Sequence, residues 1–158
     1  IRLMPNTPCL VGEGMIAVCR NDAVSDDELR EITALLKTLG KVVSLKEKQM
    51  GAVTGLSGSG PAYVFSVIEA LADGGVEMGL NRDIALLLAS QTVYGAAKMV
   101  LETGEHPALL KNKVTSPGGT TSAGLLALEE GAIRASFIKA VVKATQREKA
   151  LSRGDGGG

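Results

Sequence analysis

Apolar residues follow a strand-like pattern near the start of this chain and a helical pattern over the remainder. Short runs rich in apolar residues at 1–4, 14–19 and 41–45 predict three strands. The first run ends at residues 5–8 (PNTP), where two prolines predict a stiff, extended turn. Because three short strands make a poor free-standing sheet, we expect them to complete a sheet supplied from elsewhere.

The segment between the second and third strands has the apolar spacing of an amphipathic helix. Ser25 and Glu28 stand three residues apart at its start and predict a capping box. Gly40 predicts its end. The apolar face of this helix carries Leu29, Ile32, Leu35, Leu36 and Leu39. Residues 1–47 therefore predict a small α/β remnant of a larger sheet.

From Lys48 onward almost the whole pattern is helical. Residues 57–60 (SGSG) predict a break, after which Pro61 suits the first position of a new helix. The predicted helices span residues 50–56, 61–78, 82–102, 107–113, 122–130 and 132–151. We therefore predict a mostly α chain, with domains at 1–47 and 48–152 and a flexible tail at 153–158.

Helix 82–102 is apolar over more of its circumference than one contact covers. In so short a chain, we expect a partner chain to bury it. Gly74 and Gly75 lie inside the preceding helix, where each glycine lowers helix stability by roughly 1 kcal/mol relative to Ala. Close approach of another helix would offset this loss. The helical pattern thus predicts an intertwined homodimer.

Composition argues against several classes of function. Acidic and basic residues balance at 17 each, aromatic residues make up 3% and Trp is absent, so we expect no nucleic-acid surface. No apolar run approaches the roughly 20 residues that span a bilayer, so we expect no membrane. Cys9 and Cys19 form neither a disulfide framework nor a metal-like spacing with the single His106. This cysteine usage favours a reducing compartment, the cytoplasm.

Residues 111–130 (KNKVTSPGGTTSAGLLALEE) hold the strongest candidate for a binding site. Hydroxyl residues and two glycines, Gly118 and Gly119, precede an apolar, helix-forming run. Glycines let the backbone approach a ligand closely, and the start of a helix attracts an anion. A small carboxylate or a phosphate would fit there. The alternative, which the spacing alone favours, is a hydroxyl-rich helix cap without a ligand.

Other candidate residues carry less chemistry. Gly58-Ser59-Gly60 lacks the third glycine of a dinucleotide fingerprint, because Tyr63 stands in its place. His106 precedes a proline at a helix start, which predicts a structural role. The sequence shows no nucleophile–base pair and no metal-ligand cluster, so a cofactor would have to bring any chemistry.

The 111–130 stretch resembles the signature of the pyrroline-5-carboxylate reductases. Three other stretches agree with that family in order: MPNTP at 4–8, AVTGLSGSGPAY at 52–63 and EALADGG at 69–75. The resemblance implies reduction of 1-pyrroline-5-carboxylate to L-proline, the last step of proline biosynthesis, with NADPH or NADH. It also implies a Rossmann-type domain followed by a helical domain that interlocks into a homodimer, which can assemble further. The implied active site lies between the dinucleotide domain of one subunit and helices of both.

Carried over residue by residue, the resemblance implies three roles and no metal. The residues implied to hold the substrate are Val114, Ser116, Gly118, Gly119 and Thr121. Thr121 would also be the catalytic residue, with its hydroxyl beside the ring nitrogen. The residues implied to lie along the nicotinamide of the cofactor are Asn6, Thr54 and Ser57.

The glycine fingerprint of the family does not occur in these 158 residues. We therefore expect the main cofactor site to lie outside them and the 158 residues alone to be inactive. The alternative is a non-catalytic dimerising module, derived from that enzyme, that binds proline-like carboxylates weakly. A different dehydrogenase with a helical second domain is a third possibility, against which the SPGGTT sequence argues.

Overall fold

A computed structural model of the chain describes residues 1–154, and it is mostly helical with one small sheet, which confirms the predicted fold class. The strands are β1 (Arg2–Met4), β2 (Gly14–Cys19) and β3 (Gly40–Ser44). The α-helices are α1 (Asp26–Leu36), α2 (Met50–Val53), α3 (Gly60–Glu77), α4 (Arg82–Thr103), α5 (Pro107–Lys113), α6 (Thr120–Glu130) and α7 (Ile133–Ser152). Residues 155–158 of the predicted tail lie outside the described residues.

Contacts divide the chain into two units. The first comprises Ile1–Tyr63 and the segment from Phe137 onward, and the second is Val64–Ser136. This division concerns contacts within one chain. The domain boundaries predicted from the sequence therefore stay a prediction.

The sheet of the first unit has the strand order β1-β2-β3. β1 pairs antiparallel with β2, placing Leu3 opposite Val18, and β2 pairs parallel with β3, placing Ile16 opposite Val42. Ile16 and Val18 are fully buried in the central strand. Met50, at the start of α2, is also fully buried and packs with Ala17 in one core cluster. The apolar runs thus placed the three strands correctly.

Gly40 ends the helical run as predicted, as the C-cap of the 3-10 turn that follows α1, and it also has a second role. α1 ends at Leu36, a 3-10 turn follows at Lys37–Leu39, and Gly40 is the first residue of β3. Its φ is +145°, and an added Cβ would lie 2.1 Å from the carbonyl oxygen of Gly14. The glycine therefore allows two strands to approach where they begin to pair.

The extended turn predicted at residues 5–8 is correct for its first half and wrong for Thr7 and Pro8. Asn6 is extended, but Thr7–Val11 form a 3-10 helix that has a proline in its first turn. Pro8 does not oppose this helix, because an N–H at the first helical positions has no helical partner anyway.

The predicted capping box forms at the start of α1. The Glu28 N–H donates to Ser25 Oγ at 3.2 Å, and Glu28 Oε2 accepts from the Ser25 N–H at 2.8 Å and from Ser25 Oγ at 2.7 Å. These hydrogen bonds from the Ser25 side chain and backbone lower the pKa of Glu28. The carboxylate form is thus the one that stabilises the helix start.

Acidification is expected to weaken α1 through Glu28. Its pKa in the folded chain lies below the unfolded value of about 4.3, so the stabilisation is present above that pH and is lost as the pH falls through the folded pKa. Glu28→Gln keeps an acceptor for Ser25 but cannot titrate. We expect the Tm of Glu28→Gln, followed by circular dichroism, to fall less than that of the native chain between about pH 6 and about pH 3. Equal falls in the two chains would contradict this role.

In the second unit, α3 and α4 pack through small side chains. Ala72 of α3 is buried together with Ala85 and Ala89 of α4. An added Cβ at Gly75 would lie 3.2 Å from the Cβ of Ala85, whereas one at Gly74 would meet no atom within 4 Å. The predicted close helix approach is therefore confirmed for Gly75, and its partner is α4 of the same chain.

Most of the apolar surface of α4 is not covered within the described residues. Ala85 and Ala89 are its buried residues. By length and composition α4 could cross a membrane, which corrects the prediction that no apolar run approaches that length. A helix covered by another polypeptide can have the same length and composition. The length and composition of α4 therefore do not by themselves indicate a membrane.

Candidate functional site

A tight turn at residues 116–119 joins α5 to α6. The Gly119 N–H donates to the Ser116 carbonyl at 3.1 Å, with Pro117 and Gly118 at the two central positions. Gly118 has a φ of +65°. Proline followed by a residue of positive φ is the pattern of a type II turn, which explains why a glycine stands there.

The turn leads directly into the N-terminus of α6. Gly119 occupies the N-cap position in an extended conformation and supplies no side-chain cap. A Cβ added at Gly119 would lie 2.2 Å from Ser116 Oγ, so the hydroxyl of Ser116 lies against the α-carbon of this glycine. Uncapped N–H groups in the first turn of a helix and an adjacent hydroxyl form a cradle for a carboxylate.

Some predicted donors of this loop already have partners in the chain. The Val114 N–H donates to the Lys111 carbonyl at 3.2 Å, and the Gly119 N–H makes the turn hydrogen bond described above. Thr115 Oγ1 donates to the Lys111 carbonyl at 2.7 Å, so this hydroxyl fixes the end of α5. The N–H groups at the start of α6 are therefore the main donors that remain for an anion.

Thr121 lies in the first turn of α6 and is half-buried. Within residues 1–154 no protein group forms a hydrogen bond with its hydroxyl. The side chain of Val114, in contrast, is exposed and lines an apolar pocket of about 270 Å³ together with Met99 and Leu110. The hydroxyl of Thr121 is thus left for a ligand, as is that of Ser116, which also forms no protein hydrogen bond within the described residues.

The residues predicted for the cofactor lie in the first unit. The predicted break falls at Ser59, which separates α3 from the π-helical turn Thr54–Gly58 that continues α2 through Ser57 and Gly58. Thr54 Oγ1 donates to the Met50 carbonyl at 3.1 Å, and Ser57 Oγ donates to the Val53 carbonyl at 3.2 Å. Both hydroxyl oxygens therefore keep lone pairs with which to accept hydrogen bonds.

Asn6 connects this π-turn to the sheet. Its Nδ2 donates to the Ser57 carbonyl at 3.1 Å, and its Oδ1 accepts from the Met15 N–H in β2 at 2.9 Å. Among the three predicted cofactor residues, Asn6 and Ser57 are thus in direct contact, and Thr54 lies in the same turn. The resemblance did not indicate these contacts or the part played by Met15.

The other face of the π-turn packs against α7. A Cβ added at the buried Gly55 would lie 2.2 Å from Thr145 Oγ1 and 2.8 Å from the Val141 carbonyl oxygen. Tyr63 Oη donates toward the carbonyls of Gly55 at 3.3 Å and of Ala140 at 3.5 Å. Only glycine fits at position 55, and the half-buried Tyr63 supports the π-turn through its hydroxyl.

The remaining candidates have structural roles. His106 is the N-cap of α5, where its Nδ1 accepts from the Ala108 N–H at 3.2 Å, which confirms its predicted role. Burial, followed by a hydrogen bond with Glu47, raises the pKa of the Cys19 thiol. A thiol kept protonated by burial is a poor nucleophile.

The chain is similar to known proteins in both sequence and structure. The family model described as pyrroline-5-carboxylate reductase dimerisation matches residues 47–151. The pyrroline-5-carboxylate reductase of Arabidopsis thaliana is 53% identical over 153 residues, which are 97% of this chain and 55% of that protein. The Escherichia coli reductase is 45% identical over 153 residues, which are 97% of this chain and 57% of that protein. The chain thus spans little more than half the length of these relatives.

Solved structures agree with the sequence relatives. A pyrroline-5-carboxylate reductase from Coxiella burnetii superposes with a TM-score of 0.91 and 42% identity, covering 95% of this chain and 56% of that one. A pyrroline carboxylate reductase from Plasmodium falciparum, solved with NADP bound, gives a TM-score of 0.88 and 39% identity over 94% of this chain and 61% of that one.

Proposed function

Because this chain belongs to the pyrroline-5-carboxylate reductase family, we propose that it supplies the substrate site and the dimer of an enzyme that reduces 1-pyrroline-5-carboxylate to L-proline. The observation that carries this proposal is the turn at residues 116–119 with the uncapped start of α6 behind it. The substrate has a carboxylate on a small ring, and this cradle suits such an anion.

The reaction adds a hydride to the ring carbon of a C=N bond, and the nitrogen gains a proton to become an amine. The cofactor supplies the hydride. The Thr121 hydroxyl, in the same first turn of α6 that forms the carboxylate cradle, would orient the ring nitrogen by a hydrogen bond. Ser116 Oγ and the first N–H groups of α6 would hold the carboxylate, with the backbone of Val114, Gly118 and Gly119 shaping the loop.

NADPH or NADH would meet this chain at the π-turn. The hydroxyl oxygens of Thr54 and Ser57 are free to accept hydrogen bonds, which fits the amide donor of a nicotinamide. Asn6 borders the same turn. The NADP in the Plasmodium falciparum structure supports a dinucleotide as the cofactor. The groups that bind its phosphates are proposed to belong to a separate nucleotide-binding half.

The dimer and the location are part of the same proposal. Membership of a dimerisation family supports a homodimer, which could assemble into larger oligomers. The two free thiols fit a cytoplasmic enzyme. Because the 158 residues contain no dinucleotide fingerprint, the second candidate is a non-catalytic module that dimerises and binds proline-like carboxylates weakly.

Titration with L-proline tests the proposed carboxylate cradle. We expect the amide resonances of Ser116, Gly118, Gly119 and Thr121 to shift, because proline carries the carboxylate of the product. Prolinamide, which lacks the charge, should leave them in place. A Gly119→Ala chain should lose the response, because the added Cβ would displace the Ser116 hydroxyl. Equal shifts with proline and prolinamide, or shifts confined to other residues, would contradict the assignment.

A further inference from the structure

The carbonyl of Ser57 cannot accept the usual hydrogen bond of an α-helix. In a continuous α-helix it would accept from the N–H four residues later, but that residue is Pro61. Proline has no N–H, and its ring clashes with the carbonyl four residues before it. A local π-turn at Thr54–Gly58 moves the backbone out of this clash and leaves the Ser57 carbonyl in need of another partner.

Asn6 supplies that partner. Its Nδ2 lies 3.1 Å from the Ser57 carbonyl oxygen, in a part-buried contact between residues 51 positions apart in the chain. The carboxamide is held in this orientation because its Oδ1 accepts from the Met15 N–H at 2.9 Å. Met15 lies in the central strand β2, so the sheet fixes the donor that the π-turn requires.

The opposite side of the turn contacts α7 and Tyr63. Gly55 lies against Thr145, and the Tyr63 hydroxyl reaches the Gly55 carbonyl at 3.3 Å. The turn is therefore held between α7 on one side and Asn6 on the other. Of these contacts, only the one from Asn6 replaces a hydrogen bond that a proline has removed.

We propose that Asn6 is a positioning residue, which fixes the π-turn by donating to the Ser57 carbonyl and so sets where Thr54 and Ser57 stand. Its effect on the cofactor passes through this turn. The structural part of this proposal concerns the chain alone, and the consequence for the cofactor rests on the function proposed above.

Asn6→Asp separates the two hydrogen bonds of the carboxamide. The introduced carboxylate can still accept from the Met15 N–H but cannot donate to the Ser57 carbonyl. We expect the amide of Ser59, which spans the π-turn to the Thr54 carbonyl at 2.8 Å, to shift and to exchange faster near neutral pH. Below about pH 4 the introduced carboxyl becomes protonated and can donate again, so the native resonance positions should return.

Asn21→Asp is the matched control. Asn21 Oδ1 accepts from the Ala23 N–H in an exposed turn, and an aspartate accepts equally well. The control should leave the Ser59 amide unchanged at every pH. The proposal is overturned if Asn6→Asp leaves the Ser59 amide unchanged, or if its perturbation shows no recovery at low pH while the chain remains folded.

A double-mutant cycle with Pro61→Ala gives a second readout. Alanine restores an N–H at position 61 that can bond to the Ser57 carbonyl, so the loss of the Asn6 donor should matter less. We expect the fall in Tm for Asn6→Asp to be smaller in the Pro61→Ala background than in the native one. Additive effects would overturn the link between the two residues.

The effect on the cofactor is measured in the polypeptide that also carries the nucleotide-binding half. Asn6→Asp is expected to raise the KM for NADPH about tenfold while the KM for 1-pyrroline-5-carboxylate stays the same. If the native protein reduces this substrate but the variant changes both KM values equally, the positioning role is wrong. If the native protein is inactive, the proposed function fails and the resonance tests still decide the structural claim.

Discussion

If the chain acts as proposed, replacing Thr121 by valine in a polypeptide that also carries the nucleotide-binding half is expected to lower kcat on the order of 100-fold or more. Valine keeps the branched shape of threonine but removes the hydroxyl that would orient the ring nitrogen during hydride addition. Thr121 lies within the first turn of α6 and is half-buried. Because its hydroxyl forms no hydrogen bond with the protein in the described residues, the loss of this oxygen should not disturb the fold. The measurement is the rate of NADPH oxidation at saturating substrate.

Thr121→Ser is the control for this prediction. Serine restores the hydroxyl without the methyl group, so most of the activity should return. The Tm of both variants should stay close to that of the native protein, because within residues 1–154 the Thr121 hydroxyl makes no protein hydrogen bond. An unchanged kcat in Thr121→Val would remove Thr121 from the mechanism.

A charge placed on the exposed face of α4 is expected to separate the dimer. Leu87 is 64% exposed in the single chain, and so is Leu101, about four turns further along nearly the same face of α4. Obligate interfaces bury more than about 2,000 Å². Leu87→Glu should raise the dimer Kd on the order of 100-fold or more, because it buries an unpaired charge.

Leu35→Glu is the matched control for the assembly. Leu35 lies on α1, is 67% exposed, and falls outside the segment 47–151 that matches the dimerisation family. Light scattering at micromolar concentration should find a dimer for the native chain and for Leu35→Glu, and a smaller species for Leu87→Glu. A monodisperse native monomer, or a Leu87→Glu dimer as tight as the native one, would contradict the proposed interface.

Features specified by neighbouring residues could be predicted from the sequence. The capping box depends on Ser25 and Glu28, which stand three residues apart, and it formed as predicted. The helical periodicity placed α3 to α7 to within two residues at each end. Local hydrogen bonding and side-chain spacing decide these features, and both can be read from a short stretch of chain.

Features that depend on distant contacts could be predicted only in part. The SGSG sequence indicated a break, which is present at Ser59, but it did not indicate the π-turn before it, whose Ser57 carbonyl accepts a hydrogen bond from Asn6, far away in the chain. Pro61 four residues after Ser57 was the available signal of a missing donor. Gly40 likewise serves its approach to Gly14 in a neighbouring strand, which no local pattern reveals.

The candidate site likewise has features that the sequence predicted and features that it did not. The glycines and proline of residues 116–119 predicted a turn before a helix, and the structure has it. The sequence could not show that the N–H groups of Val114 and Gly119 are already engaged within the loop. It also could not show that the Thr54 and Ser57 hydroxyls donate back to α2 and keep only acceptor capacity.

The most direct test of the central claim joins this chain to the nucleotide-binding half of the Arabidopsis thaliana relative. NADPH oxidation is followed with 1-pyrroline-5-carboxylate, for the joined polypeptide and for the 158 residues alone, and proline is identified as the product. We predict proline formation by the joined polypeptide and none by the 158 residues alone. A folded, dimeric joined polypeptide that forms no proline would contradict the proposed function, and oxidation by the 158 residues alone would contradict the assignment of the cofactor site.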